Sequence, residues 1–173
     1  DPVIVASSIV MAIQTLVARN VNPQTPAVVT VGSFQAGAKH NIISDEAKLL
    51  LTVRSYDDET RTMLLEGIER IAEAQAHAFG APDPEFVFEP DYTPAVYNEP
   101  ALGDTVAAAI AASLGDDNIT ELTPVMGGED FSQYGRTAED IPGMLFWIGA
   151  VEPDLWQRAQ DGPLGLPSLH SPF

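Results

Sequence analysis

The chain has three histidines and no cysteine, so few of its residues could hold a metal or act as a nucleophile. His170 lies in Leu169-His170-Ser171-Pro172, beyond a loop rich in Gly and Pro. It reads either as a terminal-loop histidine or as a metal ligand presented beside a buried strand. His77 falls on the polar side of a helical stretch and reads as solvated. His40 precedes Asn41 in a turn, where a plain polar role competes with a site role. The most unusual local segment is Met126-Gly127-Gly128-Glu129-Asp130-Phe131. Gly127 and Gly128 bare backbone N–H groups and let a ligand approach the main chain. Glu129 and Asp130 follow at the start of a helical turn, and the plain alternative is that Gly128 and Asp130 merely form a turn and helix cap. Arg54 is one of 8 basic residues and sits near a strand end. It suits bidentate capture of a carboxylate, or a surface ion pair worth about 0–1 kcal/mol. No Ser/His/Asp constellation, phosphate-binding loop or dinucleotide fingerprint can be assembled.

The elements that must position these residues follow from periodicity. Val5, Ile9, Ala12 and Leu16 make one helical stripe, with Asp1 as N-cap and Pro2 at the first turn. Val10, Ile13 and Val17 form a second apolar row, which predicts an exposed interface, the alternative being that both rows pack inside one chain against the strands and the second helix. Residues 27–34, rich in β-branched side chains, predict a strand. A turn with Gly37 leads to a second strand, with Leu49, Leu51 and Val53 on one face and Lys48, Leu50, Thr52 and Arg54 on the other. Residues 56–59 open a second helix, whose stripe is Leu64, Ile68, Ile71 and Ala72, extended by Phe79 and stopped at Gly80. Residues 85–89 alternate as a third strand. Helix, strand, strand, helix, strand is a ferredoxin-like βαββαβ sandwich without its first strand. Beyond Pro90 come a proline-marked linker, an alanine-rich helix over 102–114 stopped by Gly115, a short strand over 118–122 and a final loop from Val151. Residues 143–150 read as a strand buried on both faces, of a kind found in parallel sheets.

Of 173 residues, 8 are basic and 25 acidic, which gives a formal charge of −17, and 45% are apolar. That is core-forming material, not a disordered chain, and the length suits one domain or two small ones. The acidity argues against nucleic acid and against an anionic membrane surface. No apolar run approaches the ~18 residues of a membrane span. The start, Asp1-Pro2, lacks the basic region of a signal peptide and reads as a cut through a longer chain. A cytoplasmic location is expected.

In order and spacing, these pieces resemble the C-terminal two-thirds of the dinuclear-metal amidohydrolases of the aminoacylase/carboxypeptidase group. That group includes hippurate hydrolase, N-acyl-amino-acid amidohydrolases and indoleacetyl-amino-acid hydrolases. The resemblance rests on Asp1-Pro2-Val3, Ala18-Arg19-Asn20-Val21, Ala27-Val28-Val29-Thr30-Val31-Gly32, Asn41-Ile42-Ile43, Thr52-Val53-Arg54-Ser55-Tyr56, Met126-Gly127-Gly128-Glu129-Asp130-Phe131 and Leu169-His170-Ser171-Pro172. It implies an α/β protein in which residues 1–90 are a ferredoxin-like lid and dimerisation domain. Residues 91–173 would then be the C-terminal part of a zinc-peptidase-like catalytic domain.

By the same resemblance, His170 is a metal ligand, and a neutral imidazole suits zinc or manganese. Asn41 reaches a neighbouring active site and binds the polar end of the substrate. Arg54 is a carboxylate partner, and Gly127, Gly128, Glu129 and Asp130 line the substrate pocket. Two metal ions per complete site are implied, activating a water whose proton a glutamate takes. The other ligands and that glutamate are absent and would precede residue 1, so no catalytic residue is assigned within the chain. Where the family has proline after Asn-Val-Ile, this chain has Ser44, which loosens a turn. The implied function is hydrolysis of the amide bond of an N-acyl amino acid or small peptide by a homodimer joined through the lid, with the fragment alone inactive. The alternative is a non-catalytic module that dimerises or binds small carboxylates.

Overall fold

A computed structural model describes residues 1–161 and Leu166. It begins with α1 (Pro2–Asn20), followed by β1 (Ala27–Ala36), β2 (Ala47–Ser55) and α2 (Asp58–Ala78). Asp1 caps α1 by accepting from the Val3 amide at 3.0 Å, and Pro2 needs no intrahelical donor. Asp57 caps α2 by accepting from the Thr60 amide at 2.6 Å and the Thr60 hydroxyl at 2.8 Å. β1 and β2 form an antiparallel two-stranded sheet, with Val31 opposite Leu51 and Val29 opposite Val53. The register skips Gly32, a bulge between Val31 and Ser33.

The core lies between the helices and one face of this hairpin. Ile9, Ile13 and Leu16 of α1 meet Leu64, Ile68, Ile71 and Ala72 of α2, with Val29, Leu49, Leu51 and Val53 packed beneath. The second apolar row of α1 is therefore corrected. Ile13 is only 1% exposed and Val17 packs on the core, because the helix is wedged between α2 and the sheet and buries a wide stripe. Its exposed large apolar residues are instead Val3, Ile4 and Met11. At 19 residues, α1 is also long and apolar enough by composition to cross a membrane. Only 28% of that apolar window is buried here. Phe79 does not extend the α2 stripe, since it stands beyond the last turn and is exposed. Gly80 takes φ +65° and ends the helix as expected.

Residues 85–89 are in no ladder. Their alternation survives in packing, for Phe86 meets the core while Val87 is exposed. The third strand expected there does not form among the described residues.

Farther on lie α3 (Pro100–Leu114), a 3-10 turn (Asp116–Asn118), a 3-10 helix (Asp130–Arg136) and α4 (Pro153–Asp161). The strands expected over 118–122 and 143–150 do not form. A parallel strand needs neighbours to bond, and none lies beside 143–150. Instead, Asn98 does the work of a neighbour. Its amide donates to the Leu145 carbonyl at 2.9 Å and accepts from the Leu145 amide at 2.8 Å. α4 occupies part of the stretch expected to be loop.

The tightest packing is at Gly67, where an added Cβ would stand 2.5 Å from Leu16 Cδ1. Leu16 is 1% exposed and cannot swing outward. Gly67→Val is expected to destabilise by about 1–3 kcal/mol. Adding Leu16→Ala should recover part of that loss by opening space for the new side chain. Urea unfolding of the two single variants and the double variant checks this, and strict additivity would count against it.

Candidate functional site

β2 runs outward to Arg54, which lies opposite Val28. One Arg54 guanidinium nitrogen donates to the carbonyl of Met126. The structure thus joins two features that are far apart in sequence, the strand-end arginine and the two-glycine segment. The Arg54 side chain makes no other hydrogen bond among the described residues and is exposed.

Gly127 and Gly128 are exposed, and their amides make no hydrogen bond among the described residues. Glu129 faces the other way. Its carboxylate accepts from the Phe131 amide at 3.3 Å. Its carbonyl accepts from the Ser132 amide and from the Ser132 hydroxyl, the latter at 2.8 Å. Glu129 therefore caps the 3-10 helix that Asp130 begins, one residue before the Asp130 of the plain turn-and-cap reading. Phe131 packs on Gly143, where a Cβ would come within 3.2 Å of the ring.

The 3-10 helix is fastened to α2 by contacts that sequence reasoning missed. Arg136 makes a two-bond ion pair with Asp58, at 2.9 and 3.0 Å. Arg61 lies over the Tyr92 ring, 3.6 Å from its centroid, and Gln133 donates to the Tyr92 carbonyl at 3.3 Å. The only available signal was scarcity: Arg136 is one of two basic residues after Arg70.

Asn41 is not brought to this place. It lies exposed in the β1–β2 connection, beside Lys39 and His40, along an open hollow of about 680 Å³. That connection follows the Ala36–Ala47 pair, at the opposite end of the hairpin from Arg54. The seven residue steps from Ala47 to Arg54 separate the two ends by roughly 24 Å. His77 is exposed and pairs with Asp83 at 2.6 Å, a surface histidine as expected. His170 lies outside the described residues. Among the described residues no group of three or more His, Asp or Glu could hold a metal ion. These residues do not by themselves form a metal centre.

The mixed α/β arrangement with its small antiparallel sheet is similar in fold to solved proteins. The chain is similar to the Bacillus subtilis YXEP protein, described as a dinuclear metal binding peptidase from the M20 family. The TM-score is 0.64 and the identity 35%, covering 83% of this chain and 35% of that one. The sequence model of peptidase family M20/M25/M40 matches residues 6–160, and the chain belongs to that family. It is 35% identical over 153 residues to N-acetyldiaminopimelate deacetylase of Streptococcus thermophilus, covering 88% of this chain and 39% of the relative. It is 36% identical over 159 residues to N-acetylcysteine deacetylase of Bacillus subtilis, covering 91% and 40%. With thermostable carboxypeptidase 2 of Saccharolobus solfataricus it shares 32% over 149 residues, 86% and 36%. The chain thus spans about two-fifths of the length of these relatives.

The Arg136 guanidinium holds the Asp58 carboxyl below its ordinary value of 3.8, against a smaller opposing effect of burial. Asp58 in turn holds Arg136 above its usual range. A carboxyl depressed by folding stabilises the fold fully above its unfolded value, and the effect is lost as pH falls through the folded value. Asp58→Asn should therefore cost stability near pH 7, by no more than about 1 kcal/mol for so exposed a pair. Wild type and variant should converge as pH falls well below the ordinary value of 3.8. Urea midpoints at the two pH values measure this, and an equal gap at both would refute it.

Proposed function

We propose that this chain is part of a cytoplasmic, metal-dependent amidohydrolase that cleaves the amide bond of N-acyl amino acids or small peptides. The observation that carries this reading is the family match over residues 6–160. Two of the relatives are named as deacetylases of N-acetyl compounds and one as a carboxypeptidase, which supports a substrate with an amide beside a small amino-acid unit.

In this reading residues 1–90 form the ferredoxin-like lid, and residues 91–173 return to a zinc-peptidase-like catalytic domain. The unpaired apolar stretch 143–150 supports that division, because Phe146, Trp147 and Ile148 are exposed and a neighbouring sheet would cover them. His170 supplies one ligand to a pair of zinc or manganese ions, and the other ligands and the general base come from outside this chain. The ions supply the activated water. The chain's own part is to bind: the free amides of Gly127 and Gly128 donate to a substrate oxygen, and Arg54 offers its open N–H groups to a carboxylate. Glu129 and Asp130 shape the loop. Asn41 serves the site of a second copy, which its place at the far end of the hairpin supports.

For the residues described here, taken alone, a second reading is favoured by their lack of a metal cluster. They would then act only as a dimerisation or small-carboxylate-binding module.

In the intact protein, hippurate or N-acetyl amino acids should be hydrolysed, a chelator should abolish turnover, and zinc or manganese should restore it. His170→Ala should lower bound metal and rate together, since a ligand and the ion's charge are lost at once. The chain alone should show no turnover above a metal-only blank. An intact protein that is inactive and metal-free would end the enzyme reading. Turnover by the isolated chain would end the division into domains.

Dimerisation has its own test. The exposed Val3, Ile4 and Met11 of α1 and the open edge of β1 would meet a second copy about a two-fold axis. Sedimentation of the intact protein at micromolar concentration should give a dimer, and Met11→Glu should shift it toward monomer. A monomeric wild type removes both the dimer and the role of Asn41.

A further inference from the structure

One corner of the fold holds the segment 126–136 at both of its ends. At its start, Arg54 donates to the Met126 carbonyl. At its end, Arg136 is paired twice with Asp58. Arg54 is the next-to-last residue of β2 and Asp58 opens α2, only four positions later. The backbone between them is itself tied, because the Ser55 hydroxyl donates to the Asp57 carbonyl at 3.0 Å and Asp57 caps the helix. A third attachment falls near the middle, through Gln133 to Tyr92 and Tyr92 to Arg61. Between the two end contacts stand Gly127 and Gly128, the pair with the greatest backbone freedom.

We propose that Arg54 and the Asp58–Arg136 pair are positioning residues, which fix where the Gly127 and Gly128 amides stand and so present them to an anionic or carbonyl oxygen of the substrate. This rests on the reading that the loop lines the substrate site. Two consecutive amides can donate to one oxygen only if the loop holds a single shape. A free Gly-Gly loop would have to be ordered at the moment of binding, whereas pins at both ends order it beforehand. Arginine is suited to both positions because its rigid fork can hold a carbonyl or both oxygens of a carboxylate. Arg54 keeps N–H groups free for the ligand, whereas Arg136 is directed to Asp58 and has no contact with the glycines. Arg136 therefore acts on the loop only through its pair.

The test uses the intact protein and reads hydrogen exchange at the Phe131 and Ser132 amides, both of which are bonded to Glu129. Arg54→Gln and Arg136→Gln should each speed that exchange by up to about fivefold, while the Leu64 and Ile68 amides in the core stay unchanged. The reversed pair, Asp58→Arg with Arg136→Asp, should restore wild-type exchange at Phe131 and Ser132. Arg70→Gln, on the same helix, should do nothing. For an N-acetyl amino acid, Arg136→Gln should raise KM severalfold with little change in kcat. Unaltered exchange in both single variants, equal acceleration throughout the core, or a reversed pair no better than the single variants overturns the clamp. Exchange that responds while KM does not overturns instead the substrate-site reading on which the proposal rests.

Discussion

Leu16 can lie flat against α2 only because position 67 carries no side chain. That approach lets the two helices share one side of a hairpin only two strands wide, so that Leu16 and Leu64 are both sealed from solvent. A bulkier residue at 67 would push α1 away and leave one helix without a sheet to cover. With α2 seated so closely, the link from β2 is short. The strand ends at Ser55, Tyr56 and Asp57 make the turn, and Asp58 begins the helix. The direction of Arg54 and that of Asp58 are therefore set by the same core that fixes the helix pair. Packing deep in the core thus determines which polar groups are offered at the rim.

At that rim the charge balance becomes local. A chain of net charge −17 has 8 basic side chains to place. Three of them, Arg54, Arg61 and Arg136, meet where the first ninety residues touch the remainder. Each takes a different kind of partner: a carbonyl, an aromatic face and a carboxylate. None is deeply buried, so none carries the desolvation cost of an interior ion pair. Their combined effect is directional. They select one placement of the segment 126–136 out of many that an acidic surface would otherwise repel.

Much of the first ninety residues was legible from periodicity, because α1, α2 and the hairpin each have one clear buried face. The stripe of Leu64, Ile68, Ile71 and Ala72 and the alternation of Leu49, Leu51 and Val53 are local signals that the core confirms. The burial of Ile13 was legible only as an alternative to an interface, since a helix wedged between two neighbours buries more than one row, and sequence does not tell how many neighbours it has. Strands over 85–89 and 143–150 failed for a related reason: an apolar or alternating pattern states what a segment could pair with, and pairing needs a partner strand. At the candidate site, the glycine pair and Arg54 were visible as unusual residues. Their meeting was not, because nothing local in either segment encodes a contact 72 residues away. Asp58 and Arg136 were hidden more completely, as ordinary surface charges with no motif around them.

The segment after residue 90 is held together differently from the one before it. α3 buries none of its residues, and 143–145 is tied by the Asn98 amide and by the Glu99 amide donating to the Gly143 carbonyl at 3.0 Å. Such bonds give geometry, each worth only about 1 kcal/mol net, whereas a core gives stability through buried apolar area. Phe146, Trp147 and Ile148, exposed side by side, are the apolar area that these residues leave uncovered. In the reading proposed above, the remainder of the catalytic domain covers it. The polar seam to α2 then has a limited task, to set orientation. A seam of exposed pairs is suited to that, because it can fix a loop's position without binding the two parts so strongly that they could not move against each other.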